Sequence, residues 1–247
     1  MRSLAYSMQT DSHRPALTGE EYVRAMSARA ADRNARSAFR ETVLRLAPSR
    51  GSIFDFGAGP GSDAKFYAES GFRVFAYDVD PAMCATFRAY CAEEIAQRRV
   101  TLIESAYDEL LSGVPLRDVR DIDLVTANFA PMNLVPAPRL TFEMFHSVVA
   151  ARGRLLLCVL NPSFIGDMRY GWFWTNKLRL WRDGHFAIRG QVDVWRRSVG
   201  DFTRLSASCF RLRAVMPGLP RTSQWPVPLR WLARPTTQYL FLLFERR

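Results

Sequence analysis

Apolar residues in the first 160 positions alternate between short continuous runs and runs with helical spacing. A helix is predicted over residues 19–46, because Phe39, Val43 and Leu46 recur at i, i+4 and i+7 and form one apolar face. Further apolar runs predict strands over residues 52–56, 72–78, 100–104, 121–127 and 153–160. Helices are predicted between them over residues 63–70, 81–97 and 139–151. Buried strands that alternate with helices predict an α/β fold, a doubly wound and mostly parallel sheet with helices on both faces.

The pattern changes after residue 160. Strands are predicted over residues 191–199, 202–216 and 237–245, and the prolines of residues 217–235 predict a long connection. Charge changes at the same point. Residues 1–160 hold 19 Lys+Arg and 19 Asp+Glu, whereas residues 161–247 hold 15 and 5 and so carry the whole net charge of +10. All six tryptophans also lie after residue 160.

Three parts of one domain are therefore expected. Residues 1–50 form an N-terminal helical segment over a ligand site, and residues 51–160 form the core of the sheet. Residues 161–247 add a cap insertion and the final strands of the same sheet.

Three glycines within five residues lie between the first predicted strand and its helix, in FDFGAGPGSD at residues 54–63. In a doubly wound sheet this turn faces the ligand crevice, and glycines let backbone N–H groups approach a ligand closely. The spacing GxGxG, with Pro60 inside it, differs from the GxGxxG of dinucleotide-binding proteins. The next strand ends at Asp78, whose carboxylate can accept hydrogen bonds from ribose hydroxyls. A tight turn and a helix cap would explain each feature alone, but together they predict nucleoside binding.

The ordered set of strand ends resembles a known family. FDFGAGPG is followed by AYDVDPAM at residues 76–83, LVTANFAPMNLV at 124–135 and GRLLLCVL at 153–160, and this series resembles the class I S-adenosylmethionine-dependent methyltransferases. The resemblance implies a Rossmann-like sheet of seven strands, the last of which, QYLFLLFE, is antiparallel. It implies S-adenosylmethionine as cofactor, S-adenosylhomocysteine as product, and no metal.

The resemblance also implies roles for particular residues. Gly57, Ala58, Gly59 and Gly61 would contact the methionine part of the cofactor. Asp78 would hold the ribose and Val79 would contact the adenine, while Asn128 and Phe129 would border the transferable methyl group. The implied cofactor-binding set is completed by Phe56, Asp63, Ser105, Ala106, Tyr107 and Asn133.

One position departs from the family pattern. The third strand usually ends near an acidic residue that binds the adenine amino group, but Ser105 and Ala106 occupy that place here. Stacking by Tyr107 and binding by the backbone alone remain as two alternatives.

Few side chains are candidates for a general base, and methyl transfer from a sulfonium does not always need one. The catalytic candidates are His185, in RDGHF, and Tyr22, in the N-terminal helix. His146 lies between apolar residues and is interpreted as structural. NPSF at residues 161–164 resembles the signature of methyltransferases that act on amino groups, but it follows the fifth strand instead of the fourth and is interpreted as a turn.

The basic, tryptophan-rich residues 165–236 allow several functions. They could be a solvated arginine surface, or a pocket for a hydrophobic, anionic acceptor, free or on an acidic carrier protein. RNA binding is least favoured because no separate basic module is present. TNKLRLWRD at residues 175–183 could also rest on an anionic membrane surface. O-methylation of a small metabolite is the leading prediction; the alternatives are RNA methylation and a catalytically silent nucleoside-binding module. The oligomeric state is left open.

The composition predicts the oxidation state of the cysteines and the cellular compartment of the protein. Four cysteines without a CxxC pair, with three histidines, predict reduced core thiols and no metal site. No apolar run approaches a membrane span, and the N-terminal residues lack the apolar region of a signal peptide, so a cytoplasmic protein is expected.

Overall fold

A computed structural model describes residues 28–188, 193–220 and 226–247. Its strands are β1 (Ser52–Phe56), β2 (Arg73–Asp78), β3 (Val100–Glu104), β4 (Ile122–Ala127), β5 (Val149–Leu160), β6 (His185–Ile188), β7 (Val194–Arg197), β8 (Phe210–Pro217) and β9 (Tyr239–Arg246). Seven of these form one sheet in the order β3-β2-β1-β4-β5-β9-β8, and β6 and β7 pair as a separate antiparallel hairpin. In this sheet β9 runs antiparallel to both of its neighbours, β5 and β8, and the other neighbouring strands are parallel. The predicted fold class is thereby confirmed.

Helices cover both faces of the sheet. In chain order they are α1 (Ala30–Leu46), α2 (Ser62–Glu69), α3 (Pro81–Tyr90), α4 (Ala92–Ala96), α5 (Tyr107–Leu111), α6 (Pro138–Val148), α7 (Gly171–Thr175), α8 (Lys177–Asp183), α9 (Val199–Ser206) and α10 (Val227–Ala233). Within the described ranges, no helix is both long enough and apolar enough to cross a bilayer.

The alternation of side chains along β1 divides the core into two layers. Phe54 and Phe56 lie on the face covered by α6, where both rings contact Phe145. Ile53 lies on the other face, among the buried residues of α1. Because successive strand residues point to opposite faces, Asp55 shares the α1 face with Ile53. This places a carboxyl group beneath α1 at the carboxyl end of the central strand.

Four predicted elements differ from the structure. The helix predicted over residues 81–97 is two helices, α3 and α4, separated at Cys91. The strand predicted over residues 202–216 is helix α9 followed by β8, because Ser198 caps α9 by accepting a hydrogen bond from the Asp201 N–H at 3.0 Å. The predicted connection over residues 217–235 contains α10. The strand predicted over residues 153–160 also begins earlier, at Val149, directly after α6.

The cap is attached to the loop that follows β4. The Asn133 side chain donates a hydrogen bond to the Trp195 carbonyl of β7. The Arg197 guanidinium donates to the carbonyls of Met132 and Val135, each at 3.0 Å. The hairpin β6–β7 is thereby held against the carboxyl end of the sheet, next to the loops predicted to bind the cofactor.

Candidate functional site

The glycine loop lies where the strand order reverses, between β1 and its two neighbours β2 and β4. Gly57, Gly59 and Gly61 have φ values of 71°, 57° and 90°. A Cβ at Gly57 would lie 2.5 Å from the Pro131 Cβ, so this glycine also lets the loop after β4 approach closely. At Gly59 the same construction meets no atom of the protein within 4 Å, so space is open beside the loop.

The N–H groups of the loop bond to β2 instead of facing outward. Those of Gly57 and Ala58 both donate to the Tyr77 carbonyl at 2.9 Å, and that of Gly59 donates to Asp78 Oδ2 at 2.7 Å. Asp78 Oδ1 accepts from the Asp80 N–H at 2.9 Å. Burial raises the pKa of Asp78. These three N–H groups are bonded to β2, and Asp78 holds the loop in shape; contact of the glycines and of Asp78 with a cofactor stays a prediction.

A cavity opens between the glycine loop, α1 and the loop after β4. Its lining residues are Arg36, Asp55, Gly57, Ala58, Gly59, Pro60, Ser62, Asp63, Asn128 and Phe129. The cavity thus brings together six residues of the predicted cofactor set. It also includes Arg36, Asp55, Pro60 and Ser62, which the sequence reasoning missed.

Asp55 is the most unusual group in this cavity. Its side chain is 2% exposed, and Oδ1 accepts a hydrogen bond from Thr126 Oγ1 at 2.8 Å, across the β1–β4 pairing. Its other oxygen, Oδ2, has no hydrogen-bond partner in the described part of the chain. Burial first, and the negative charge of Asp63 second, raise the pKa of Asp55 to about 7. A buried carboxyl oxygen with an unmet acceptor capacity indicates a site for a donor or a cation.

Charged side chains of α1 close the cavity on one side. Arg40 Nε donates to Asp63 Oδ1 at 2.6 Å, and Asn128 Nδ2 donates to Asp63 Oδ2 at 2.9 Å. The Arg36 guanidinium lies over the Phe129 ring, 4.7 Å from its centroid. Arg36 and Arg40 are one helical turn apart and share a face of α1.

The loop after β4 carries backbone strain at its tip. Phe129 and the following Ala130 have φ values of 57° and 69°, a region that residues with a Cβ seldom adopt. Strain of this kind, held by the surrounding structure, concentrates at binding sites. The Phe129 ring also contacts Tyr239 at the start of β9, with 5.7 Å between centroids. Phe129 therefore joins the cavity to the last strand of the sheet.

Two predicted residues have side chains that serve the core. The Phe56 ring is buried and stacks on Tyr77, with 5.5 Å between centroids, on the face opposite Asp55. Asn133 is fully buried, and its Oδ1 accepts from the Leu160 N–H at 2.9 Å while its amide nitrogen bonds to Trp195. Asn133 therefore joins β5, the loop after β4 and the hairpin. A contact of Phe56 or Asn133 with a cofactor stays a prediction.

The residues predicted around the adenine lie at the ends of β2 and β3. Val79 is 56% exposed directly after Asp78. Ser105 has a buried Oγ for which the described residues offer no hydrogen-bond partner, and Ala106 precedes α5. The Tyr107 hydroxyl shares a hydrogen bond with Thr141 Oγ1 at 2.6 Å, which holds the ring against α6. The exposed Val79 side chain offers an apolar contact for the adenine ring, and the Ser105 hydroxyl is a nearby polar group whose hydrogen bond is not made within the described residues.

Of the two catalytic candidates, His185 lies within the described residues and Tyr22 does not. His185 begins β6, and its Nδ1 lies 3.1 Å from the Asp183 carbonyl and 3.3 Å from Asp201 Oδ2. His146 packs against the Phe210 ring and accepts a hydrogen bond from Arg246 Nε at 3.2 Å, and burial lowers its pKa. This environment fits its structural interpretation.

A second buried polar cluster lies in the cap beyond β5. The Arg196 guanidinium is 3.7 Å from Asp167 Oδ2 and 5.2 Å from the centroid of a Trp172 ring. Arg196 Nε and Trp172 Nε1 are both buried without a hydrogen-bond acceptor in the described ranges. Burial lowers the pKa of Arg196. Arg196 and Trp172 therefore each contribute to this cluster a buried N–H group without an acceptor.

Comparison with known proteins identifies the family. The sequence pattern of a family described as a methyltransferase domain matches residues 31–197, which include the glycine loop, β4 and the cap hairpin. The chain therefore belongs to this methyltransferase domain family. This family agrees with the methyltransferase class that the strand ends resemble. In sequence, no curated protein matches this chain.

Solved structures share the fold at low sequence identity. An S-adenosylmethionine-dependent methyltransferase from Mesorhizobium loti has a TM-score of 0.58 at 18% identity, over 86% of this chain and all of its own. A TehB-like methyltransferase from Corynebacterium glutamicum has a TM-score of 0.59 at 16% identity, covering 93% and 98%. The 1,6-didemethyltoxoflavin-N1-methyltransferase of Burkholderia thailandensis, solved with its acceptor and S-adenosylhomocysteine bound, has a TM-score of 0.57 at 17% identity, covering 94% and 92%. These likenesses concern the fold.

Proposed function

We propose that the protein transfers the methyl group of S-adenosylmethionine to a small, hydrophobic and anionic acceptor, at an oxygen atom. The observation that carries the cofactor part is the unpartnered, buried carboxyl oxygen of Asp55 in the cavity beside the glycine loop. The methionine part of the cofactor ends in an ammonium and a carboxylate. Asp55 would hold the ammonium, because a buried carboxylate with a free acceptor site favours a cation.

Other lining residues fit the rest of the cofactor. Arg36 would face its carboxylate, and the open space beside Gly59 would accept the chain of the methionine part. Asp78 would bind the ribose, and exposed Val79 would cover the adenine. When bound, the cofactor supplies a sulfonium methyl that is already activated for attack. The protein must then align the acceptor and exclude water.

The acceptor side is supported by the cluster of Arg196, Trp172 and Asp167. On the side of the cofactor cavity, the Tyr239 ring at the start of β9 contacts Phe129, with 5.7 Å between centroids. The unmet donors of Arg196 Nε and Trp172 Nε1 match the oxygens of a carboxylate or phosphate. The Trp172 ring offers the apolar surface that an aromatic or acyl group needs.

His185 would act as the general base for a hydroxyl acceptor. A proton on Nδ1, donated to the Asp183 carbonyl at 3.1 Å, would leave the lone pair of Nε2 free to accept a proton, and Asp201 Oδ2 lies 3.3 Å from the same nitrogen. Asp201 is 4% exposed and is itself held by Arg204 Nη2 at 2.6 Å, so it can keep the ring oriented. The hairpin that carries His185 is bonded to the loop after β4.

The cofactor assignment is tested by titration calorimetry with S-adenosylmethionine and S-adenosylhomocysteine. Micromolar binding of both is expected, and Asp78→Ala should weaken both at least tenfold because it removes the ribose partner and loosens Gly59. The matched control is Asp80→Ala, which removes only a helix cap on the Ala82 N–H at 2.8 Å and should bind normally. Absence of binding to the wild-type protein, or equal binding by Asp78→Ala, would refute the assignment.

The acceptor class needs its own test. Turnover with hydrophobic carboxylic acids and phenols, measured as S-adenosylhomocysteine released, should fall in His185→Gln while cofactor affinity stays unchanged. Tight, salt-dependent RNA binding by the purified protein would instead favour the RNA methyltransferase alternative.

A further inference from the structure

The exposed apolar side chains of the protein gather in two segments of the cap. Most of the large apolar side chains that are exposed in the described residues lie in residues 165–181 and 227–232. The most exposed are Trp181, at 83%, Val227, at 68%, Leu178, at 66%, and Trp231, at 65%. We call these two segments together the apolar cap surface. Contiguous exposed apolar surface of this kind marks an interaction site.

Hydrogen bonds join the chain just before the first segment to the chain just after the second. Asn161, directly after β5, donates through Nδ2 to the carbonyls of Arg234, at 2.7 Å, and Thr237, at 2.9 Å. The short helical turn Ile165–Asp167 also contacts the turn Arg234–Thr236. Because β5 and β9 are paired, both segments leave the sheet at the carboxyl end of β5, on the side of the cofactor cavity. The apolar cap surface is therefore one feature of that end of the molecule.

The charge of this surface is positive. Arg169, Lys177 and Arg179 are exposed among the apolar residues of the first segment. Its one carboxylate, Asp167, is buried beside Arg196, and directly after the segment Arg182 Nε donates to Asp183 at 2.8 Å, so these two charges offset each other. Residues 226–236 contain no Asp or Glu.

We propose that the apolar cap surface docks on an anionic phospholipid bilayer. On α8, Leu178 and Trp181 are three residues apart and share a face, and the exposed cations Lys177 and Arg179 are adjacent to Leu178 in sequence. Indole and aliphatic side chains would enter the boundary between headgroups and acyl chains, and the flanking cations would stay among the headgroups. A bilayer needs no matching shape, which suits apolar side chains that project from two short helices. The proposal is independent of the acceptor's identity.

Charge complementarity decides between a bilayer and a protein partner. A protein interface would be expected to combine an apolar centre with a rim of both charges. The described side chains of this surface instead offer exposed cations and no carboxylate that is not already bonded to an arginine. Each Lys or Arg near an anionic leaflet adds to the attraction, so binding should depend on both anionic lipid and salt.

The test is flotation of the full chain with vesicles of phosphatidylcholine alone and of phosphatidylcholine mixed with phosphatidylglycerol. Binding to the mixed vesicles at low salt is expected, with little binding to phosphatidylcholine alone. The double variant Leu178→Glu/Trp181→Glu should lose at least tenfold in vesicle affinity. Lys177→Gln/Arg179→Gln should bind more weakly and with a smaller salt dependence.

The matched control is Val114→Glu/Leu140→Glu. These side chains are 48% and 49% exposed in a separate groove between α6 and the turn after α5, so the same change in charge is made at a different exposed apolar site. All variants should keep the melting temperature and S-adenosylhomocysteine affinity of the wild type. The proposal is overturned if the wild type ignores mixed vesicles, or if both double Glu variants bind them equally. It is also overturned if Leu178→Glu/Trp181→Glu abolishes a dimer of a protein that binds no vesicles, since the surface would then serve a second copy.

Discussion

Replacing Asp55 by Asn should stabilise the protein and weaken cofactor binding. Burial raises the pKa of Asp55 from its ordinary 3.8 to about 7, so the native protein keeps a proton that the unfolded chain loses between these pH values. The contribution of this group to stability is therefore fully present below the lower value and is lost as pH rises to about 7. Asn has no proton to lose, so the variant does not suffer this loss.

The size of the effect follows from the pKa difference. A shift of about three pH units, at about 1.4 kcal/mol each, gives about 4 kcal/mol as an upper bound. The Asn side chain keeps an oxygen for Thr126 Oγ1 and places an unpartnered N–H where a protonated Asp55 would place its O–H. The two proteins should therefore be nearly equal in stability at about pH 4. At about pH 8 the variant should be more stable by about 2–4 kcal/mol.

Cofactor binding should change in the opposite direction. If ionised Asp55 holds the ammonium, Asp55→Asn removes a charged partner and should weaken S-adenosylhomocysteine binding about 10- to 100-fold at about pH 8. In the wild type, affinity should fall by about fivefold between pH 7 and pH 6, because the bound state needs the carboxylate. The variant should show little of this pH dependence.

Urea unfolding at the two pH values and calorimetry with S-adenosylhomocysteine measure both effects. The matched control is Asp123→Asn in β4, whose carboxylate lies at the opposite end of the sheet and accepts from the Ser52 N–H at 2.8 Å. It should show neither the gain in stability with pH nor the loss of affinity. Unchanged affinity in Asp55→Asn would remove Asp55 from the cofactor site, and a stability difference independent of pH would refute the raised pKa.

Three further outcomes are expected. Gly57→Ala should cost about 1–3 kcal/mol and reduce cofactor binding, because the new Cβ would overlap Pro131; Gly171→Ala, with open space around it, should change the urea midpoint little. Arg196→Met should cost about 3–5 kcal/mol by leaving Asp167 buried without its cation, and the double variant with Asp167→Leu should recover most of the loss in thermal unfolding. The native cysteines should resist alkylation near neutral pH, because all four are buried and burial raises the pKa of three of them, to about 11 or 12; rapid labelling before unfolding would contradict this.

The order of strands and helices along the chain could be predicted because the central strands β1, β2 and β4 are buried on both faces of the sheet. Such strands appear as continuous apolar runs, and β1, β2, β3 and β4 lie within a residue of their predicted bounds. The pattern misled where a helix is short and amphipathic. In α9, Val199, Phe202 and Leu205 face the core at helical spacing, but the polar residues between them also fit an alternating strand.

The cap could not be predicted in detail because its contacts are distant in sequence. Arg196 pairs with Asp167 across 29 positions and contacts Trp172, and Asn133 reaches Trp195 in the hairpin. No local period encodes such contacts. The same holds for Arg36 and Arg40, whose meeting with Phe129 and Asp63 depends on how α1 packs over the sheet.

Asp55 shows how the sequence carried a signal that periodicity concealed. Read as part of the apolar strand SIFDF, it is one polar residue in a strand, yet a carboxyl group at the centre of a sheet destabilises the fold unless it is paired. Thr126 satisfies one oxygen and the described residues leave the other unmet, so the fold alone does not account for the group. A cationic ligand would account for it, because a positive charge beside the carboxyl group lowers its pKa and stabilises the ionised form. That stabilisation would contribute to the binding of the ligand. Asp55 therefore destabilises the fold by its burial, and the same residue is expected to contribute to the binding of the cofactor.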